Sequence, residues 1–173
     1  MLEKSNPRVV VVGGGAGGMM AALYALEAGA DVTLLEKNEK LGKKLYITGK
    51  GRCNVTNACD RDAFLHRVPR NPRFLYSALD FLPPDRLMAL LNRLGCPTKV
   101  ERGQRVFPVS DKASDVTKAL TKGITRAAIR LNTQVDRLVV TGSHVTAVRL
   151  KDGVVLPADR IVLATGGLSY PST

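Results

Sequence analysis

Gly13, Gly15 and Gly18 stand in the spacing G-x-G-x-x-G, directly after the apolar run Arg8 to Val12 and ahead of a stretch of Met, Ala and Leu. That pattern can hold the pyrophosphate of a dinucleotide. The first glycine permits a tight turn, the second lets a phosphate approach the backbone, and the third lets the helix pack closely. Free N–H groups and the positive end of the helix dipole then face the anion. Glu36 follows 18 residues after Gly18. A carboxylate there can accept hydrogen bonds from both ribose hydroxyls and repels a 2′-phosphate, which disfavours NADP. FAD and NAD share this fingerprint, so it does not separate them.

These groups need a strand, a turn, a helix and a second strand to hold them. RVVVV (Arg8 to Val12) has the continuous β-branched character of a strand buried on both faces. Met19 to Gly29 is rich in strong helix formers, and DVTLLE (Asp31 to Glu36) is a second strand. Strand, helix and strand at this spacing predict a parallel, right-handed βαβ unit. Leu41 to Asn57, rich in Gly, Lys and Asn, is expected as a long ordered loop. Asn71 to Leu94 predicts two helices interrupted at Pro83-Pro84 and stopped by Gly95. Gly103 to Ser110 is expected as a short strand and turn. A helix from about Lys112 to Ala128 follows, with Ser110 or Asp111 as N-cap. Thr133 to Val140, His144 to Leu150 and Val154 to Leu156 predict an antiparallel meander with an Asp152-Gly153 turn. Arg160 to Ala164 returns as a buried strand ending at Thr165-Gly166-Gly167. A plain NAD-binding domain would continue with regular βα units; the Gly/Lys/Arg/Asn loop and the meander do not.

With 173 residues, 45% of them apolar and 24% charged, the chain has the composition of a globular domain. The net charge of +11 is uneven. Lys37 to Arg73 holds ten Lys or Arg against three acids, a net of +7, and leaves +4 for the rest. A solvated basic surface and a nucleic-acid partner both remain open on that count. Cys53, Cys59 and Cys96 form neither a CxxC pair nor a metal-ligand set with His66 and His144, so no metal is expected and a cytoplasmic protein is. The uncharged run Val9 to Leu26, preceded by Lys4 and Arg8, superficially suits a signal peptide. Five glycines between Gly13 and Gly18 break any apolar helix through it.

At LGKKLYITGKGRCNVTN (Leu41 to Asn57), together with VGGGAGG, GQRVFP and VLATGGLSYP, the chain resembles the bacterial BaiN-like (HI0933-like) FAD-dependent oxidoreductases. The resemblance covers the whole length. It implies an α/β FAD/NAD(P)-binding Rossmann-like fold of the glutathione-reductase type, incomplete here: one FAD-binding domain over residues 1–173 with a helical insertion at about 61–100. It implies that Gly13, Gly15, Ala16 and Gly18 hold the FAD pyrophosphate and Glu36 the adenosine ribose. Lys43 and Lys44 match a basic pair near the phosphates and ribityl chain. Thr48, Gly49, Gly51, Arg52 and Asn54 would lie along the isoalloxazine. Val135, on the strand after the Lys112 helix, matches a position whose backbone meets the adenine. Ala164, Thr165, Gly166 and Gly167 would form the second FAD motif.

Physical chemistry agrees with several of these roles. Backbone N–H groups in a glycine-rich loop can bond the flavin ring, and a cation stabilises its reduced, anionic form. Arg52 is the candidate for that charge, with a surface ion pair or a phosphate contact as its other readings. Cys53 and Cys59 are spaced CNVTNAC, one residue longer than the CxxxxC of disulfide reductases, so Cys53 is read as a structural thiol. No side chain is a convincing general acid or base. The expected function is hydride transfer between reduced nicotinamide (NADH as donor) or an organic substrate and FAD. The alternatives are a tRNA- or nucleic-acid-interacting flavoprotein and a non-catalytic cofactor-binding remnant. The scarcity of aromatics among the basic residues weakens the nucleic-acid alternative. Family members continue past ATGGLSYP into a substrate domain and a last FAD-contacting segment, so the chain is expected to be a fragment whose small-molecule substrate is set elsewhere. No membrane partner is expected.

Overall fold

In the computed structural model, which describes residues 5–168, RVVVV forms β1 (Arg8–Val12) at the interior of a four-stranded parallel sheet. Helix α1 (Ala16–Glu27) follows, and β2 (Asp31–Leu35) pairs with β1 in parallel register, Val12 opposite Leu35. The expected βαβ unit is present. The sheet is completed by β6 (Ala128–Arg130) beside β2 and β10 (Arg160–Leu163) beside β1, both parallel. Ser169 to Pro171 of the closing motif lie outside the described residues, as does Lys4.

Two compact units can be told apart, one of residues 1–45 and 120–173, the other of residues 46–119. In the first, β7 (Val135–Thr141), β8 (His144–Leu150) and β9 (Val155–Pro157) form the expected antiparallel meander. Its Val148 and Leu150 pack with Val10, Val12, Leu35 and Ala158 in one apolar cluster. Alternation along β1 and β2 then turns Val9, Val11 and Leu34 to the opposite face, where α1 contributes Met19, Ala22, Leu23 and Leu26 to the core. Both faces of the central strands are therefore covered, as the unbroken valine run requires. The Asp152-Gly153 turn is closed by Gly153 N–H to Leu150 O at 3.0 Å and by Val154 N–H to the Asp152 carboxylate at 3.0 Å.

The second unit carries β3 (Thr56–Asn57), α2 (Arg61–His66), α3 (Tyr76–Phe81), α4 (Pro84–Arg93), β4 (Thr98–Glu101) and β5 (Arg105–Pro108). Its three strands make an antiparallel sheet in the order β3-β5-β4. The break at Pro83-Pro84 and the stop at Gly95 (φ 91°) are as expected. Three expectations need correction. The loop Leu41 to Asn57 contains two short 3-10 turns, Lys43–Tyr46 and Thr48–Gly51, and ends in β3. The helix expected to reach Ala128 is α5 (Ala113–Gly123), because Ala128–Arg130 leaves it to pair with Thr33–Leu35. Asp111 does not turn back on that helix: its carboxylate accepts hydrogen bonds from Arg52 and Lys99. Among the described residues, no helix is long and apolar enough to cross a membrane.

Candidate functional site

The turn between β1 and α1 separates its glycines into two kinds. A Cβ on Gly13, whose φ is +107°, would lie 2.4 Å from the Ala164 carbonyl oxygen, and one on Gly18 would lie 1.8 Å from the Gly13 oxygen. A Cβ on Gly14 would lie 2.4 Å from the Leu41 side chain. These three positions are closed by protein. Gly15 and Gly17 meet nothing within 4 Å, so the backbone at the start of α1 faces open space. The N–H groups of the first helical turn have no intrahelical partner. No side chain caps them at Gly15, and the first turn holds no acid. A bare, positive helix end with room above Gly15 fits an anionic pyrophosphate. Ala16, exposed, is part of this turn.

Glu36 is 7% exposed at the end of β2. Its Oε2 accepts the Gly14 N–H at 2.7 Å, and its Oε1 accepts from the Asn38 backbone at 2.8 Å and the Asn38 amide at 2.6 Å. The acid is thus tied to the glycine turn itself, a link the sequence spacing alone does not show. Lys43 extends the chain of contacts, with Nζ 3.3 Å from Asn38 Oδ1 and 3.1 Å from the Glu39 carboxylate. A backbone hydrogen bond and, after it, the Lys43 ammonium hold the Glu39 carboxyl below its ordinary range. Lys44 points elsewhere: its Nζ donates to the Gly167 carbonyl at 2.6 Å. Ala164 N–H donates to Val12 O at 2.8 Å, which carries Thr165, Gly166 (φ 79°) and Gly167 onto the end of the sheet beside Gly13. The first unit therefore brings together Gly13, Gly15, Ala16, Gly18, Glu36, Lys43, Lys44 and Ala164 to Gly167. Val135 packs against the apolar cluster that holds Val12 and Leu35, two residues after Thr133, whose N–H donates to the Glu36 carbonyl at 2.8 Å. It opens β7, opposite Leu150, and is on the second strand after α5 rather than the first, because β6 intervenes.

In the second unit, Thr48 to Cys53 form a tightly wound loop. Gly49, Lys50, Gly51 and Cys53 all have positive φ. A Cβ at Gly49 would lie 2.9 Å from Asn54 N and 3.0 Å from the Phe107 ring, so a glycine is needed there. Cys53 N–H donates to Thr48 O at 3.0 Å. The Asn54 amide, with its nitrogen turned inward, donates to Thr56 O and Val106 O at 3.1 and 3.2 Å. Arg52 pairs with Glu101 and Asp111 and lies 4.1 Å from the centre of the Phe107 ring. The ion-pair reading of Arg52 is thus present in the structure, with Glu101 and Asp111 as its partners. Burial raises the Cys53 thiol above its ordinary pKa, in keeping with a structural thiol. His66 and His144 are exposed.

A family model for the HI0933-like protein Rossmann domain matches residues 7–173. The chain belongs to that family. Among curated proteins of this kind it is 35% identical over 167 residues to the 3-dehydro-bile acid delta(4,6)-reductase of Clostridium scindens, covering 95% of the chain and 40% of the relative. It is 28% identical over 163 residues to the ribosomal RNA dihydrouridine synthase of Escherichia coli, covering 94% and 40%. The chain thus spans about 40% of the length of these relatives. Among solved structures, the open conformation of a flavocytochrome c3 fumarate reductase matches at TM-score 0.73 and 26% identity, over 95% of this chain and 34% of that one. The Rossmann-like α/β fold of the resemblance is the fold observed, and the cofactor to which family and fold point is FAD.

Proposed function

We propose that the chain binds the ADP half of FAD at the β1–α1 turn and works as part of a flavoprotein oxidoreductase whose substrate is an alkene conjugated to a carbonyl group. The observation that carries the cofactor reading is the division of the turn into glycines closed by protein (Gly13, Gly14, Gly18) and glycines open to space (Gly15, Gly17). The substrate class is supported by the names of the relatives. A delta(4,6)-reductase of a 3-dehydro acid, a dihydrouridine synthase and a fumarate reductase share a carbon–carbon double bond next to a carbonyl.

FAD, when bound, supplies the hydride-carrying ring, with NADH as the expected donor. The chain's residues hold and orient it. The Gly15, Ala16 and Gly17 N–H groups face the pyrophosphate, and Glu36 retains acceptor capacity for the ribose hydroxyls beyond its bonds to Gly14 and Asn38. Lys44 fixes the second motif by its hold on Gly167. Thr48, Gly49, Gly51, Arg52 and Asn54 lie along the isoalloxazine in this reading, with Arg52 acting through the loop it braces. Val135 offers its backbone to the adenine. Competition titration tests the cofactor half. FAD binds and ADP displaces it, whereas FMN, which lacks the adenosine, does not compete. Equal binding of FMN, or no binding of FAD by folded protein, overturns the reading.

A further inference from the structure

Residues 67–76 of the second unit carry a group of cations and rings that the flavin site does not use. Arg67, Arg70 and Arg73 are all exposed, and among the described residues none of them lies in an ion pair. The Arg67 guanidinium donates to the Asn57 amide oxygen at 3.4 Å. The neighbouring cations differ: Arg61 pairs with Asp62 and Asp80, and Arg52 with Glu101 and Asp111. Among the described residues these three guanidiniums have no carboxylate partner. Directly beside them, Phe74 is 86% exposed and Tyr76 46% exposed, with the Arg61 guanidinium 5.9 Å from the Tyr76 ring centre. The 3-10 turn Pro72–Leu75 and helix α3 that present these rings bury none of their residues. Pro69 and Pro72 fix φ between the arginines and stiffen their spacing.

Unpaired guanidiniums followed directly by two exposed aromatic rings suit one polymer chemistry. The cations meet phosphates, and the rings offer faces on which unpaired bases stack. A duplex hides its base faces, and unstacked bases are the usual recognition feature of folded RNA. An anionic bilayer fits less well, because α2 and α3 have six residues each and cannot lay a continuous apolar stripe into an interface. We propose that Arg67, Arg70, Arg73, Phe74 and Tyr76 form a docking surface for single-stranded RNA. The scarcity of aromatics in the basic stretch, which weighs against nucleic acid when the whole sequence is read, is offset by Phe74 and Tyr76, which follow it directly. This inference does not rest on the flavin reading, since RNA binding is measured with no flavin present and either can fail alone.

The test is fluorescence anisotropy of a labelled oligo-uridine RNA titrated with the full chain over a range of salt. Reversing Arg67, Arg70 and Arg73 together to Glu is expected to weaken binding by more than tenfold and to lower the salt slope by about two, for three phosphates lost. Phe74→Ser removes a side chain that contributes nothing to the core, and is expected to weaken binding about tenfold with an unchanged slope. Reversing Lys118, Lys122 and Lys151 to Glu changes the net charge equally and is expected to leave affinity within about twofold. Equal losses from the two triple reversals would show attraction by net charge alone and overturn the proposal. So would an unaltered affinity for Phe74→Ser, or phosphatidylserine vesicles that depend on these five residues while RNA does not.

Discussion

The buried carboxylate of Glu36 accepts the backbone N–H of Gly14 at 2.7 Å, so the acid assigned to the ribose also closes the turn assigned to the pyrophosphate. In the proposed reading, folding of the turn and recognition of the cofactor draw on the same side chain. Glu36→Ala leaves the Gly14 N–H buried without an acceptor, which costs about 1–3 kcal/mol. Glu36→Gln keeps an acceptor oxygen, and its stability loss is expected to be smaller. Urea denaturation of the two variants, compared by midpoint, checks the order.

The glycine turn predicts a separation of stability from binding. Gly18→Ala places a methyl 1.8 Å from the Gly13 oxygen and should unfold or severely destabilise the chain, since the obstructing atom is backbone. Gly15→Ala meets nothing within 4 Å at a φ of −77°, so thermal stability should stay within about 1 kcal/mol of the parent. FAD affinity should nevertheless fall at least tenfold, because the methyl enters the space kept for the pyrophosphate. Differential scanning calorimetry and a flavin titration on the same samples check both halves.

Acid should loosen the β1–β10 pairing through one carboxylate. Asp159 accepts two bonds from the Arg8 guanidinium and the Arg8 backbone N–H at 2.8 Å, which lowers its pKa to about 2. A carboxyl depressed in the folded state contributes stability that is complete above its unfolded pKa, about 3.9, and is lost as pH falls toward the folded value. Denaturation midpoints measured from pH 5 to 2 should therefore fall more steeply for the parent than for Asp159→Asn.

All three thiols are free and buried. Cys53 and Cys96 are moreover pushed up in pKa, chiefly by burial. Thiolate is the reactive form, so a disulfide reagent such as Ellman's should label the native chain slowly at neutral pH and titrate three thiols in urea. Rapid labelling of one native cysteine would point to a redox role for it.

The sequence was most legible where a single element carries its own pattern. The valine run, the G-x-G-x-x-G turn and the Asp152-Gly153 hairpin each depend on neighbours a few residues away, and each is found where expected. β6 was not legible: Ala-Ile-Arg holds one large apolar residue, too few to show a period, and it becomes a strand only because Thr33–Leu35 offers it a ladder. Helix α2 is fixed by the Asp60 side chain accepting the Ala63 N–H at 2.8 Å, a capping signal that the sequence carries amid surrounding charges. The partners of Arg52 lie 49 and 59 residues away, at separations that no local pattern reports. The position of Glu36 at the end of β2 follows from its own strand, whereas its bond to Gly14 depends on the register of β1 and β2.

The most direct test of the central claim, that the β1–α1 turn holds FAD, is a titration followed by quenching of FAD fluorescence, run in parallel on the parent chain and on Gly15→Ala shown by circular dichroism to be folded. The account predicts saturable quenching for the parent and at least a tenfold weaker response for Gly15→Ala. Equal titration curves for the two, or a folded parent that leaves FAD fluorescence unchanged, would contradict it.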